Sequence, residues 1–363
     1  MQQSSRQNNI SALRFVAALM VLSGHMSYMV GRFPQTLWDH HIQTIGVKTF
    51  FLLGGYLVTK SWMSDPRPLR YALKRFSRIW PPLAVCILLT VFVAGPCLTT
   101  LPLKEYLRHP AAWAYLRNLR LNIVYALPGV FESNPYAGVV NGSLWTLPAE
   151  VCMYAVIPLL LSVLAPGGRK RRLTVPAAWG ICLTVCAASV IQLRWFPGAQ
   201  LVFYGSDLIA WLDILPYYFI GWACALTEGF RNVLNVQAAI LLLCAFHCFG
   251  FQGVAYIVGF MILFPYFVYS FAFAARPVFA GAFSRYEISY GMYLYGFLIQ
   301  QIITAEFQRQ GRALSQPVLL TVSLFVTALA ALLSCVLVEQ PVQKLCKRLL
   351  ADCPVFRLKE PAE

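Results

Sequence analysis

The sequence predicts an all-α integral membrane protein of about ten transmembrane helices, with both termini cytoplasmic. Three observations carry this expectation. Hydrophobic residues make up 59% of the 363 and charged residues 12%, about half the roughly 25% charged share of a soluble domain. Crossing the hydrocarbon layer takes roughly 20 mainly apolar residues, and Ile79 to Leu103, Leu173 to Leu193 and Ala313 to Val338 each run that far without Lys, Arg, Asp or Glu. Basic residues gather in alternate loops, the mark of a cytoplasmic side.

Taken in order, the spans fall at about 10–30, 45–62, 80–98, 143–165, 173–193, 208–226, 234–249, 253–274, 286–305 and 317–338. The first is read as a retained helix, because it lacks a clear small-residue cleavage site and a second span follows soon after. The third opens at Trp80-Pro81-Pro82, and the fourth is entered through a polar turn with Pro148 in its first turns. The seventh and eighth come from one uncharged run, Val233 to Ala275, broken by the turn signal Gly250-Phe251-Gln252-Gly253.

With the N-terminus inside, and Lys60 at the inner end of the second span counted with the cytoplasmic side, cytoplasmic segments hold 19 Lys and Arg and outer segments 8, while Arg14 and Lys48 lie within spans. The net charge of +15 is therefore topological, and no nucleic-acid partner is needed to explain it. Most of the eleven cysteines sit in apolar runs, as Cys86, Cys152, Cys224 and Cys335 do, and read as small core hydrophobes. Cys182/Cys186 and Cys244/Cys248 are spaced four apart, but a zinc site needs more ligands nearby, so no metal is expected. No repeat of fixed period stands out, which leaves one membrane domain at 1–342 and a short cytoplasmic tail at 343–363.

The longest polar interval, about Thr99 to Gly142, is placed outside; its Trp113, Tyr115, Tyr125 and Tyr136 fit an interfacial aromatic belt or the lining of a sugar site. The basic stretch Arg67 to Arg78 fits the cytoplasmic-loop rule. It also fits a helix lying on anionic headgroups, or a site for the phosphates of a nucleotide.

Ionisable groups inside spans are costly and mark function or a buried partner, which singles out Arg14, His25, Lys48 and Glu150. Arg14 and His25 are eleven residues apart, close to three helical turns, so they share one face roughly 16 Å apart along the axis. That suits an anionic handle near the cytoplasm and a reaction centre in the outer half; snorkelling of Arg14 and a helix-bound His25 are the structural alternatives. Glu150 has three readings: to orient an imidazole, to bind a substrate hydroxyl, or to pair with Arg14 or Lys48. Lys48 reads as an interfacial or structural charge.

Several motifs together resemble the acyltransferase family 3 of membrane O-acyltransferases, which decorate lipopolysaccharide O-antigen and other surface glycans. Leu13-Arg14-Phe15 through Ser23-Gly24-His25 resembles the family's Arg-x10-His motif, and Gly46 to Leu57 its second helix. Arg75-Phe76-Ser77-Arg78-Ile79-Trp80-Pro81-Pro82 is similar to its Arg-x2-Arg-Ile-x-Pro segment. Asn141 to Tyr154 resembles its SLWTL-x2-E-x3-Y pattern, and Val338-Glu339-Gln340-Pro341 its final E-x-P. The chain departs from the family at Lys48, where an acidic residue is usual, at Gly54 for a serine, and at Gly296 for the histidine of the late aromatic motif Tyr290 to Leu298.

The resemblance implies transfer of an acyl group, most often acetyl, from cytoplasmic acyl-CoA to a hydroxyl of a surface or lipid-linked glycan, such as O-antigen or exopolysaccharide. The protein would then lie in a bacterial cytoplasmic (inner) membrane. It implies His25, Glu150 and Arg14 as catalytic residues and Arg14, Arg75 and Arg78 as the acetyl-CoA site. It places Asn141, Ser143, Trp145 and Tyr290 with the acceptor. A non-enzymatic transporter or flippase of a lipid-linked sugar is the competing class, favoured by broken helices and inverted repeats.

Overall fold

Backbone amides in hydrocarbon have no water to bond, so a chain this apolar must satisfy them within helices. The computed structural model describes residues 8–276, 279 and 286–352, and these are mostly helical. The long helices are α1 (Ile10–Met29), α2 (Ile42–Ser64), α3 (Pro68–Leu89), α4 (Leu147–Leu164) and α5 (Thr174–Trp195). They are followed by α6 (Leu215–Leu226), α7 (Val236–Cys248), α8 (Gly253–Ala272), α9 (Ser289–Arg309), α10 (Gln316–Ser334) and α11 (Gln340–Asp352). Two-residue hairpins, β1 (Thr36–Leu37) with β2 (His40–His41) and β3 (Val202–Phe203) with β4 (Ser206–Asp207), are the sheet structure among the described residues.

A helix stands at each of the ten expected spans, and eight stretches among the described residues are long and apolar enough to cross a membrane. The other two fall short for different reasons. Helix α7 has 13 residues, about 20 Å of rise. Helix α9 has 21 residues but carries Ser289, Gln300, Gln301 and Thr304, all buried; its polarity is turned into the bundle.

Helix α2 lies at the centre, closest to α6 and α1, and α1 in turn packs on α9. Small residues allow the α2–α6 approach. A Cβ on Gly55 would stand 2.0 Å from the Tyr218 carbonyl oxygen, and one on Gly221 would stand 2.2 Å from that of Leu52.

The basic stretch after α2 is the first half of α3 itself, because Pro68 is preorganised for the first helical turn and the helix runs on through Pro81 and Pro82. Its cations converge on Asp65. Arg67 Nε (2.5 Å), Arg70 Nε (3.0 Å) and Lys74 Nζ (2.9 Å) all bond the carboxylate. Burial raises the Asp65 pKa, but the bonds and charges of Arg67 and Lys74 outweigh it and hold the group down at about 2. Helix α11 continues α10 through a π turn, Cys335–Glu339, and returns to α3, where Arg70 Nη1 donates to the Leu350 carbonyl at 3.0 Å. Residues 343–352 are thus helical, and the rest of the tail lies outside the described residues.

The long polar interval folds into short helices over 103–120 and then runs irregularly to 141. Tyr106 and Tyr115 are buried, the Tyr106 hydroxyl donates to Val91 O at 2.9 Å, and Trp113 is exposed. Tyr136 packs against Tyr28 and Phe297, with ring centroids 5.4 and 5.9 Å away.

Candidate active site

The eleven-residue spacing on α1 delivers Arg14 and His25 into two separate cavities. Arg14 lines one of about 270 Å³ with Arg75, Arg78, Glu150, Tyr154 and Tyr290. His25 lines another of about 240 Å³ with Gln43, Trp145, Gln192 and Asp213. Val47 on α2 and Tyr293 on α9 belong to both linings and form the wall the cavities share.

In the first cavity α1 and α3 place two guanidinium groups on one carboxylate. Glu287, two residues ahead of α9, pairs with Arg14 and accepts from Arg78 Nη2 at 3.1 Å. Arg75, one helical turn before Arg78, donates to Ser61 Oγ at 3.2 Å and lies 5.5 Å from the rings of both Tyr71 and Tyr154. Its Nε is buried without a partner. Its guanidinium is thus not fully paired, and a guanidinium fork matches phosphate oxygens. Glu150 accepts from the Tyr154 hydroxyl one turn along α4, and Tyr290 donates to Ile79 O at 3.2 Å.

In the second cavity the His25 ring stands edge-on to Phe297, with centroids 5.1 Å apart, and makes no hydrogen bond among the described residues. Its nitrogens are left for a ligand. Asp213, between the short helix Leu208–Trp211 and α6, pairs with Lys48 at 2.9 Å. Lys48 is 1% exposed, and its ammonium also approaches His40 Nδ1 at 3.4 Å and the rings of Tyr217 and Phe260. Burial, with the neighbouring ammonium, pushes His40 down to about 3, so it sits neutral and accepts.

The sequence places Asn141, Ser143 and Trp145 together at the acceptor, and the structure separates them. Asn141 caps the 3₁₀ turn Gly142–Thr146 by accepting from Ser143 N at 3.1 Å, and its amide donates to Leu294 O at 2.8 Å. Ser143 is buried, with its carbonyl accepting from the Tyr293 hydroxyl at 2.6 Å. Both residues pin the turn to α9 and line neither cavity. The turn delivers its next two residues instead: Trp145 to the His25 cavity and Thr146, 2.5 Å from the Tyr293 hydroxyl, to the arginine cavity. Glu150 likewise faces the arginines and not His25, and the partners of Arg14 and Lys48 are Glu287 and Asp213.

Glu287 and Asp213 are absent from the sequence-derived site, yet both stand inside stretches read as spans, at 286–305 and 208–226. The rule that selects Arg14 and His25 reaches them too. Gln43, Gln192 and Tyr293 carry no comparable signal.

A cationic cavity and a histidine cavity thus share a wall within one helical bundle. The acyltransferase domain family matches residues 7–338, and the chain belongs to that family. It is 27% identical over 304 residues to an O-acetyl transferase of Shigella phage Sf6, covering 82% of this chain and 86% of that protein. It is 30% identical over 184 residues to nodulation protein 10 of Rhizobium leguminosarum bv. viciae, covering 48% and 50% of the two chains. Over 257 residues it is 25% identical to the peptidoglycan O-acetyltransferase OatA of Listeria monocytogenes, covering 65% of this chain and 38% of that one. No solved structure matches the chain. The protein is thus an integral membrane member of an acyltransferase family, and among the described residues no His, Cys, Asp and Glu cluster forms a metal site.

Proposed function

We propose that the protein transfers an acetyl group from cytoplasmic acetyl-CoA to a hydroxyl of a surface or lipid-linked glycan, across a bacterial cytoplasmic membrane. The observation that carries this reading is the pair of cavities sharing Val47 and Tyr293, one lined by arginines and the other by an unpartnered His25. Orientation by the basic loops puts both termini and the arginine cavity on the cytoplasmic side. Residues 1–342 are then the catalytic membrane domain, and 343–363 belong to the cytoplasmic side.

Arg75 takes donor phosphate on its guanidinium, while Arg78 and Arg14, held by Glu287, supply the surrounding positive field. Glu150, bonded by Tyr154, keeps the lining of that cavity in place. The thioester reaches past Val47 and Tyr293 to the histidine cavity. A neutral His25 takes the proton of the acceptor hydroxyl as its oxygen attacks the thioester carbonyl. The carbon–sulfur bond breaks, the ester forms, and the departing thiolate takes up a proton. Trp145 lines the acceptor side, and Tyr290 braces α3 from α9.

The test is purified protein in nanodiscs with acetyl-CoA labelled in the acetyl group and a crude glycan fraction from the host's envelope. Label arriving in base-labile ester on the glycan is expected. Label left entirely on CoA, with acetyl-CoA bound, would overturn the reading.

A further inference from the structure

The histidine cavity is unusual in what it leaves unpaired. Gln43 Nε2 donates to the Tyr28 hydroxyl at 3.2 Å, but its Oε1 is buried with no partner. Gln192 Nε2 donates to Phe196 O at 3.4 Å, and its Oε1 is likewise buried and unpartnered. Asp213 has Lys48 on Oδ1 and remains 26% exposed. Buried acceptors without donors are costly, and here three acceptor side chains from α2, α5 and the turn before α6 line one small cavity with His25.

We propose that Asp213, held by Lys48 and joined by the carboxamide oxygens of Gln43 and Gln192, is an acceptor subsite for neighbouring hydroxyls of a neutral sugar. Phosphates and carboxylates bring only acceptors, and so do Asp213 and the two unpaired carboxamide oxygens. A cation finds Asp213 already neutralised by Lys48 at 2.9 Å. A ring with adjacent hydroxyl groups supplies several donors without charge, and Trp145 offers it a flat apolar wall. Asp213 then reads a hydroxyl beside the one His25 deprotonates, which makes it a specificity-determining residue. Lys48 is a positioning residue, acting through Asp213. The inference deepens the acetyl-transfer reading and rests on it for the sugar's being the acceptor.

The probes are the methyl glycosides of glucose, galactose and mannose with their mono-deoxy analogues, and binding to the protein in nanodiscs is followed by saturation-transfer NMR. The wild type is expected to bind at least one glycoside. Asp213→Asn should weaken it about tenfold or more, as loss of a hydrogen bond to a charged group does. One mono-deoxy analogue should be penalised by the wild type and not further by Asp213→Asn, since both changes remove the same bond. Gln192→Leu leaves the ion pair intact and should also weaken binding, which keeps the test alive if Asp213→Asn does not fold. Wild-type protein that binds no glycoside, variants that bind as well as wild type, or deoxy and Asp213→Asn penalties that simply add, would each overturn the subsite. Sugar binding without any acetyl transfer would remove the reaction and leave the sugar site standing.

Discussion

Arg14 and His25 project from one helix into different cavities, and Val47 and Tyr293 form the wall between them. A thioester bound on the arginine side must pass that wall to react at the histidine. Val47→Phe should therefore keep acetyl-CoA affinity within about threefold while lowering transfer by on the order of tenfold or more, since small misplacements of reacting groups cost that much. Single-turnover transfer alongside equilibrium binding checks this. Equal losses in both would place the effect on the fold and not on the passage.

His25 has no hydrogen-bonding partner among the described residues, so its removal should leave the surroundings intact. General bases contribute roughly 10² to 10⁴ in rate. His25→Ala should lose at least about a hundredfold in transfer and still bind acetyl-CoA. Near-normal turnover would exclude the general-base role.

Arg75 carries the unpartnered Nε in its cavity. Hydrogen bonds to charged groups contribute about 1.5–3 kcal/mol, so Arg75→Ala should weaken acetyl-CoA binding roughly tenfold to a hundredfold. Arg75→Lys should recover only part, lacking the planar fork. Titration calorimetry decides it, and unchanged affinity in both variants would move the phosphates elsewhere.

Glu287 holds Arg14 and Arg78 together. Glu287→Gln leaves two cations facing each other with their counter-charge gone. Stripping one member from a buried pair costs about 3–5 kcal/mol; with Glu287 34% exposed, screening reduces this to roughly 2 kcal/mol. The thermal midpoint in detergent should fall accordingly. The double variant Arg14→Met/Glu287→Gln should recover part of the loss.

Asp65 joins α2 to the basic start of α3, and its folded pKa of about 2 is below the ordinary 3.8. Its contribution is therefore complete above pH 4 and is lost as pH falls toward 2. Asp65→Asn should flatten that acid limb of a stability profile while lowering stability at neutral pH. An unchanged limb would assign it to other carboxylates.

Span positions and the Arg14–His25 face were legible because helical periodicity is a local property, written in residues that follow one another. Pairing is not. Glu287, ahead of α9, meets Arg14 of α1 and Arg78 of α3, and Asp213, in the turn before α6, meets Lys48 of α2, through contacts that no spacing along the chain encodes. Asn141 shows a different limit. A polar residue beside a motif reads as a ligand group, but its amide is spent on the backbone of α9. Helix α9 shows the reverse, its glutamines reading as weak hydrophobicity until their inward placement is seen.

The shortness of α7 reaches beyond the protein. At 13 residues it rises about 20 Å, a third short of a hydrocarbon layer about 30 Å thick. On the flank where α7 leans on α8, the lipid chains must shorten or tilt to meet it, at a fraction of a kcal/mol for each ångström of mismatch. Lipid chain length should therefore enter the energetics of this protein: longer acyl chains are expected to deepen the mismatch, and shorter ones to relieve it.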